Sequence, residues 1–278
     1  MSLPRRIPIG RLAALLAVLV GGLVLARDPG TPRFRTVARG IEFAIMRGDP
    51  FCRQGSSGIA VVRIDAAQTR TRVRHFAAVA KQPLDIFEWQ RKAEAVVVFN
   101  AGQYYPDLSY MGLLVSGGKA VSRRLHPTFK GALVAGPVGG GGGAQVLDLD
   151  EHPLDAARPG WREIAQSFML FDRKGEVRVK KSSQIAPRTV VGEDTDHRLV
   201  VIASEGSYTL NDFAILLKAS PLHLTHAMSM DGGGEAQLVV RSGTFHYANF
   251  GHWTPGRHED ELRSALAPLP AVVTVSAE

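Results

Sequence analysis

Asp231-Gly232-Gly233-Gly234-Glu235 sets two carboxylates around three glycines, directly after Met228-Ser229-Met230 and ahead of the strand-like Gln237-Leu238-Val239-Val240. A carboxylate there can serve as base, nucleophile or electrostatic stabiliser. Residues without Cβ atoms let a ligand approach the backbone, and successive N–H groups can form an anion-binding nest. The same residues also suit a tight turn in which Asp231 only stabilises the glycine loop. Other candidates lie far off in sequence. Asn100 and Gln103 can donate and accept hydrogen bonds, and Tyr104 or Tyr105 can stack on a ring or half-bury in the core. Arg188 offers a planar fork that matches phosphate oxygens, although an internal ion pair would use it equally.

Two other chemistries are weaker. His223 and His226 are three apart, with His246 and His252 downstream, so a divalent cation can be imagined. The helical His-Glu-x-x-His arrangement is absent, and no cofactor is called for. A serine nucleophile lacks its Gly-x-Ser-x-Gly elbow. The single cysteine, Cys52, reads as a small buried residue and not as a catalytic thiol.

The elements that must carry these residues are mostly short strands. Gly58–Asp65 alternates and runs apolar as a first core strand, with Thr71–Phe76 available to pair with it. Pro83–Ala93 is predicted helical, with Leu84, Phe87 and Ala93 for its buried face and Asp85 in its first turn. Ala95–Phe99 is a continuous apolar run that delivers Asn100. Gly117-Gly118 joins two strands, and Arg173-Lys174-Gly175 joins two more. Gly139–Gly143 has no following Lys-Ser/Thr and reads as a surface loop, not a phosphate cradle. Arg198–Ala203 forms a strand, Thr209 caps a helix over Phe213–Lys218, Gln237–Arg241 and Thr244–Tyr247 make a hairpin, and Ala271–Val275 closes the core. The expected class is α+β, one domain around a largely antiparallel or mixed sheet with a few packed helices.

The chain has 278 residues, 45% of them hydrophobic, enough for a substantial core. Arg5, Arg6 and Arg11 precede the apolar run Leu12–Ala26, which resembles an export signal. Its 15 residues fall short of the roughly 20 that a spanning helix needs, so cleavage is favoured over a retained anchor at residues 12–26. The expected organisation is a signal or anchor over 1–26, an irregular lead-in over 27–50 and one domain over 51–278. Loss of residues 1–26 removes three arginines and no acid, lowering the formal charge from +7 to +4. With no basic helix or aromatic-interleaved basic stripe, nucleic acid is an unsuitable partner, whereas a mild positive field suits anionic glycans.

The order Asn100-Ala101-Gly102-Gln103-Tyr104-Tyr105, Gly112–Gly118, Gln166-Ser167-Phe168-Met169-Leu170, Arg188-Thr189-Val190-Val191-Gly192 and Asp231–Gly234 resembles the phosphodiester glycosidase family over roughly residues 51–278. The usual aromatic of the first motif is Tyr104 here, Glu235 stands where a serine commonly follows the glycines, and Glu205-Gly206 stands where many relatives carry Asp-Gly. The resemblance implies a hydrolase cleaving a sugar-1-phosphodiester in a phosphate-linked glycan, capsule, exopolysaccharide or wall polymer outside the cytoplasm. It implies Asp231, Arg188, Glu205 and Glu235 as catalytic candidates, with Asn100, Gly102, Gln103, Tyr104, Tyr105, Ser167, Gly232, Gly233 and Gly234 toward substrate. A glycan-binding protein of weak activity and a metal-dependent phosphodiesterase are the alternatives.

Overall fold

A computed structural model describes residues 31–141, 143–252 and 266–278. The segment expected to direct export lies outside the described residues. In chain order the first half comprises β1 (Arg35–Ala38), β2 (Ile41–Arg47), β3 (Gly58–Ile64), β4 (Thr69–His75), α1 (Ile86–Ala93), β5 (Val97–Asn100), β6 (Leu114–Ser116), β7 (Lys119–Ser122), β8 (Gly131–Pro137) and β9 (Ala144–Asp148). The second comprises β10 (Trp161–Phe171), β11 (Ile185–Ala186), β12 (Arg188–Asp194), β13 (Leu199–Ser204), β14 (Tyr208–Thr209), α2 (Leu210–Ala219), β15 (Leu224–Gly232), β16 (Gln237–Ser242), β17 (Phe245–Phe250) and β18 (Ala271–Ala277).

Two sheets face each other. The larger has the order β1-β2-β3-β13-β12-β15-β10-β6-β7, with β8 and β9 attached through β10; the smaller runs β17-β16-β5-β18-β4. Every paired strand among the described residues is antiparallel.

Alternation along the strands builds the layers. In β3, Ala60, Val62 and Ile64 point into the core between the sheets, while Ile59 and Val61 point to the opposite face and α2. In β5, Val97 and Phe99 enter the central core and Val98 packs outward beneath α1 with Trp89. Both sheets are therefore covered on both sides, which explains why their central strands read as continuous apolar runs. Each buried valine or isoleucine contributes roughly 1.5–3 kcal/mol.

The helices are set by their caps. The Asp85 carboxylate accepts from Glu88 N at 2.8 Å and Glu88 Oε2 accepts from Asp85 N at 3.1 Å, a reciprocal box that starts α1. Its fully buried residues are Ile86 and Trp89, whose Nε1 reaches Leu269 O at 2.8 Å; the expected Leu84 is buried in the same cluster, and Phe87 and Ala93 pack partly buried against it. Thr209 caps α2 through Asp212 N.

The expected single domain around a largely antiparallel sheet with a few packed helices is present, more strand-rich than α+β suggests, with two helices among the described residues. Two expectations are corrected. The lead-in over 27–50 is not irregular throughout, since β1 and β2 extend the large sheet beside β3. The strand at Thr69–His75 does not pair with β3; it crosses to the small sheet and pairs with β18. Its pattern of Thr71 and Val73 inward and arginines outward suits either partner, so the sequence pattern could not choose. The glycine tract links β8 to β9, with Gly139, Gly140 and Gly141 exposed.

Candidate active site

The end of β15 is the centre of the site. Asp231 N donates to Ala101 O at 3.1 Å, which joins the large sheet to the segment following β5. Asn100 completes that joint: its Nδ2 donates to Ala101 O at 3.1 Å and Asp231 O at 2.9 Å, and its Oδ1 accepts from Gln237 N at 3.3 Å. These bonds turn Asn100 inward, where it is 1% exposed. It holds Asp231 in place through backbone groups.

Gln103 extends the same joint. Its Nε2 donates to Met230 O at 3.1 Å and its Oε1 accepts from Ser167 Oγ at 2.9 Å. Tyr110 OH donates to Gln166 O at 2.7 Å and accepts from Gly102 N at 3.2 Å. A Cβ on Gly102 would fall 2.4 Å from that hydroxyl, so only glycine fits. Tyr104 packs edge-on against Tyr110, with ring centroids 5.1 Å apart, and its hydroxyl is buried without a hydrogen-bond partner among the described residues. Tyr105 is exposed.

Asp231 is chemically unusual. Burial raises its carboxyl most, the neighbouring Glu235 charge raises it further, and a 2.9 Å bond from Gly232 N opposes both, leaving it at about 7. Tyr104 and Tyr110 lie in the same field, since Asp231 helps to push both phenols upward. Glu235 sits on the turn Gly233–Glu235 that follows β15. The expected glycine cradle is partly used by the protein itself: Gly232 N bonds Asp231 Oδ1 and Gly233 N bonds Pro187 O at 3.0 Å.

Arg188 opens β12 opposite Gly232 of β15. Its Nε donates to Tyr208 O at 3.1 Å and its Nη2 to Gln184 O at 3.2 Å, while Nη1 takes part in neither bond. Burial lowers its pKa, and it forms no ion pair among the described residues. A half-buried guanidinium compensated only by carbonyl dipoles is suited to an anion.

Glu205 follows β13 and is held at both oxygens, by Ser56 Oγ at 2.6 Å and by Tyr247 OH at 3.1 Å. Tyr247 belongs to β17, so this bond crosses from one sheet to the other. Ser204 Oγ accepts from Arg188 N at 2.8 Å, which places Glu205 one residue from the arginine's support. Ser56, Tyr110 and Tyr247 escaped the sequence reading, since each lies in a segment with no motif of its own. The histidines do not assemble: His226 is fully buried and bonded to Val146 O at 2.8 Å, and no group of three or more metal-binding side chains occurs among the described residues.

Hydrogen bonds join Asn100, Gln103, Ser167 and Asp231 across the facing sheets, Glu235 acts on Asp231 through its charge, and Arg188 stands on the neighbouring strand opposite Gly232. The family model for phosphodiester glycosidase matches residues 93–270, more than half the chain, and the chain belongs to that family. The zebrafish N-acetylglucosamine-1-phosphodiester alpha-N-acetylglucosaminidase catalytic domain, auto-inhibited by its pro-peptide, is similar in fold at 14% identity, with a TM-score of 0.62 over 91% of each chain. A Synechocystis protein of unassigned function is similar at 13% identity, with a TM-score of 0.61 over 90% of this chain and 64% of that one. A Burkholderia pseudomallei protein described as exported aligns at 10% identity, with a TM-score of 0.50 over 80% of this chain and 74% of that one. A comparison with curated proteins returns no match.

Proposed function

We propose that the protein hydrolyses a sugar-1-phosphodiester in a phosphate-linked glycan, with Arg188 on the phosphate and Asp231 at the anomeric centre. The observation that carries this reading is that a half-buried arginine without a carboxylate partner among the described residues stands on β12 opposite Gly232, the residue that follows the buried acid Asp231 on the adjacent β15.

The chemistry suits the groups present. Breaking the sugar–oxygen bond releases a phosphate monoester, already a stable anion, so neutralising its charge matters more than strong general-acid help. The Arg188 fork supplies that neutralisation. Asp231, poised near neutrality, can exchange a proton during the reaction or, once ionised, stabilise the oxocarbenium-like centre. Glu235 is the second carboxylate, because its charge already acts on Asp231. Glu205, bonded at both oxygens, orients the wall that carries Tyr247. Tyr104, with its free buried hydroxyl, faces the sugar.

Turnover of a sugar-1-phosphodiester in ¹⁸O-water tests the assignment. Label on the sugar carbon supports a glycosidase; label on phosphate overturns it in favour of a phosphodiesterase. Binding without turnover supports the glycan-binding alternative, which rests on Glu235 and Glu205 standing where relatives carry other residues.

Export completes the proposal. Its supports are the Arg5, Arg6, Arg11 and Leu12–Ala26 pattern and the fold shared with a protein described as exported. No helix among the described residues is long and apolar enough to cross a membrane. A mature N-terminus at Arg27 in an envelope fraction is the expected result, and an intact Met1 in cytoplasm would end the idea.

A further inference from the structure

A row of arginines lies away from Asp231. Arg70, Arg72 and Arg74 alternate along β4, so they share one face at about 7 Å intervals. β4 is an edge strand, bonded to β18 on one side only. Two cavities, of about 470 and 640 Å³, flank it and share these three side chains; Arg162 and Glu163 line the first. Neither cavity shares a residue with the Asp231 cluster.

The charges in this groove are only partly answered by Glu94, Glu163 and Glu278, which also line it. Arg70 pairs with Glu278 at 2.8 Å, but both are well exposed and such pairs contribute little. Arg72, Arg74 and Arg162 form no ion pair among the described residues. Glu163, whose Oε2 accepts from Val73 N and Gly117 N, each at 3.0 Å, is a single carboxylate whose charge reaches both Arg72 and Arg74, and it cannot balance two guanidinium groups. Most telling, Arg74 Nε is buried without a hydrogen-bond partner among the described residues. Positive charge on an edge strand also discourages pairing with another sheet. That purpose needs exposed charge and gives no reason for a buried, unsatisfied Nε.

The register links the row to the site. Arg74 stands opposite Val272, and Val272 opposite Asn100, so the row begins two strands, or about 10 Å, from Asn100. From the geometry of Arg70, Arg72 and Arg74 we infer that β4 carries a second anion-binding subsite, which takes a further charged unit of a polyanionic glycan while another unit occupies the Asp231 cluster. The inference rests on the glycosidase reading for its choice of polymer. Guanidinium forks at regular spacing fit the phosphates or carboxylates of such a chain.

The test uses the full-length chain and three probes: a fluorescein-labelled oligosaccharide joined by phosphodiesters, a neutral dextran oligomer of equal length, and a single-stranded oligonucleotide of equal charge. Wild type should bind the phosphate-linked oligomer in a salt-sensitive manner and leave the dextran unbound. Arg72→Ala with Arg74→Ala should weaken that binding at least about tenfold while leaving kcat/KM on a small sugar-1-phosphodiester unchanged. Arg72→Lys with Arg74→Lys keeps the charge, guards against misfolding, and should recover only part of the affinity. Unchanged affinity in the folded alanine variant would overturn the subsite, and equal or tighter wild-type binding of the oligonucleotide would overturn its assignment to glycans. If wild type fails to cleave the small diester yet binds the oligomer through these arginines, the glycosidase reading falls and the subsite stands.

Discussion

Arg188 and Gly232 face each other across the β12–β15 ladder, and the guanidinium borders the space that a side chain at position 232 would enter. A Cβ there would lie 3.2 Å from Arg188 Nη1 and 3.2 Å from Pro187 O. The backbone itself is ordinary, with φ near −116°. A side chain there would press on both the guanidinium and Pro187 O, so close approach and not turn conformation bears on this position.

Gly232→Ala should therefore disturb Arg188 more than the fold. We expect KM for a sugar-1-phosphodiester to rise several-fold, with a stability loss of about 1 kcal/mol or less. An unchanged KM would mean that Arg188 has room to move and that the close approach has no role in binding.

Arg188→Lys keeps the charge but loses the fork and the bonds to Tyr208 O and Gln184 O. Turnover should fall by about 10- to 100-fold, corresponding to ~1.4–2.7 kcal/mol of lost transition-state stabilisation. Steady-state kinetics on a variant with native circular dichroism would check this, and wild-type kcat/KM would remove Arg188 from the phosphate site.

Asp231→Asn preserves size and the bond from Gly232 N but removes the ionisable group. kcat should drop at least about 100-fold while KM changes little. If kcat persists, Asp231 is a turn residue and Glu235 or Glu205 becomes the carboxylate to replace.

The same substitution should alter stability with a definite sign. The folded Asp231 titrates at about 7, above the roughly 3.9 of an unfolded aspartate, so the folded chain binds the extra proton between those values. This contribution is fully present below the unfolded value and is lost as pH rises through the folded one, by a few kcal/mol at most. Asp231→Asn should consequently melt higher than wild type near about pH 8, with the gain shrinking toward about pH 4. Scanning calorimetry at both pH values reads the difference, and a gain that grows at acid pH would contradict the burial argument.

Asn100 should behave as a scaffold. Asn100→Asp would aim a carboxylate at Ala101 O and Asp231 O, the two carbonyls that now accept from its amide. A loss of about 3 kcal/mol or more is expected in denaturant unfolding. Full stability with selective loss of substrate affinity would instead make Asn100 a ligand group.

The sequence determined the local features: the apolar runs of β3, β5 and β13, the capping of both helices by Asp85 and Thr209, and the glycine turn after Met230. Each depends on near neighbours, through side-chain alternation or a hydrogen bond spanning three residues. Motif order also singled out Asn100, Arg188 and Asp231. Tertiary structure alone decided which strand β4 pairs with, since alternating threonine, valine and arginine suit either sheet. It also decided roles. Asn100 turned inward because three backbone groups converge on its amide, and Glu205 was engaged by Ser56 and Tyr247, 149 and 42 residues away. The raised carboxyl of Asp231 likewise needed burial beneath facing sheets, and burial is a property of packing that no single segment contains.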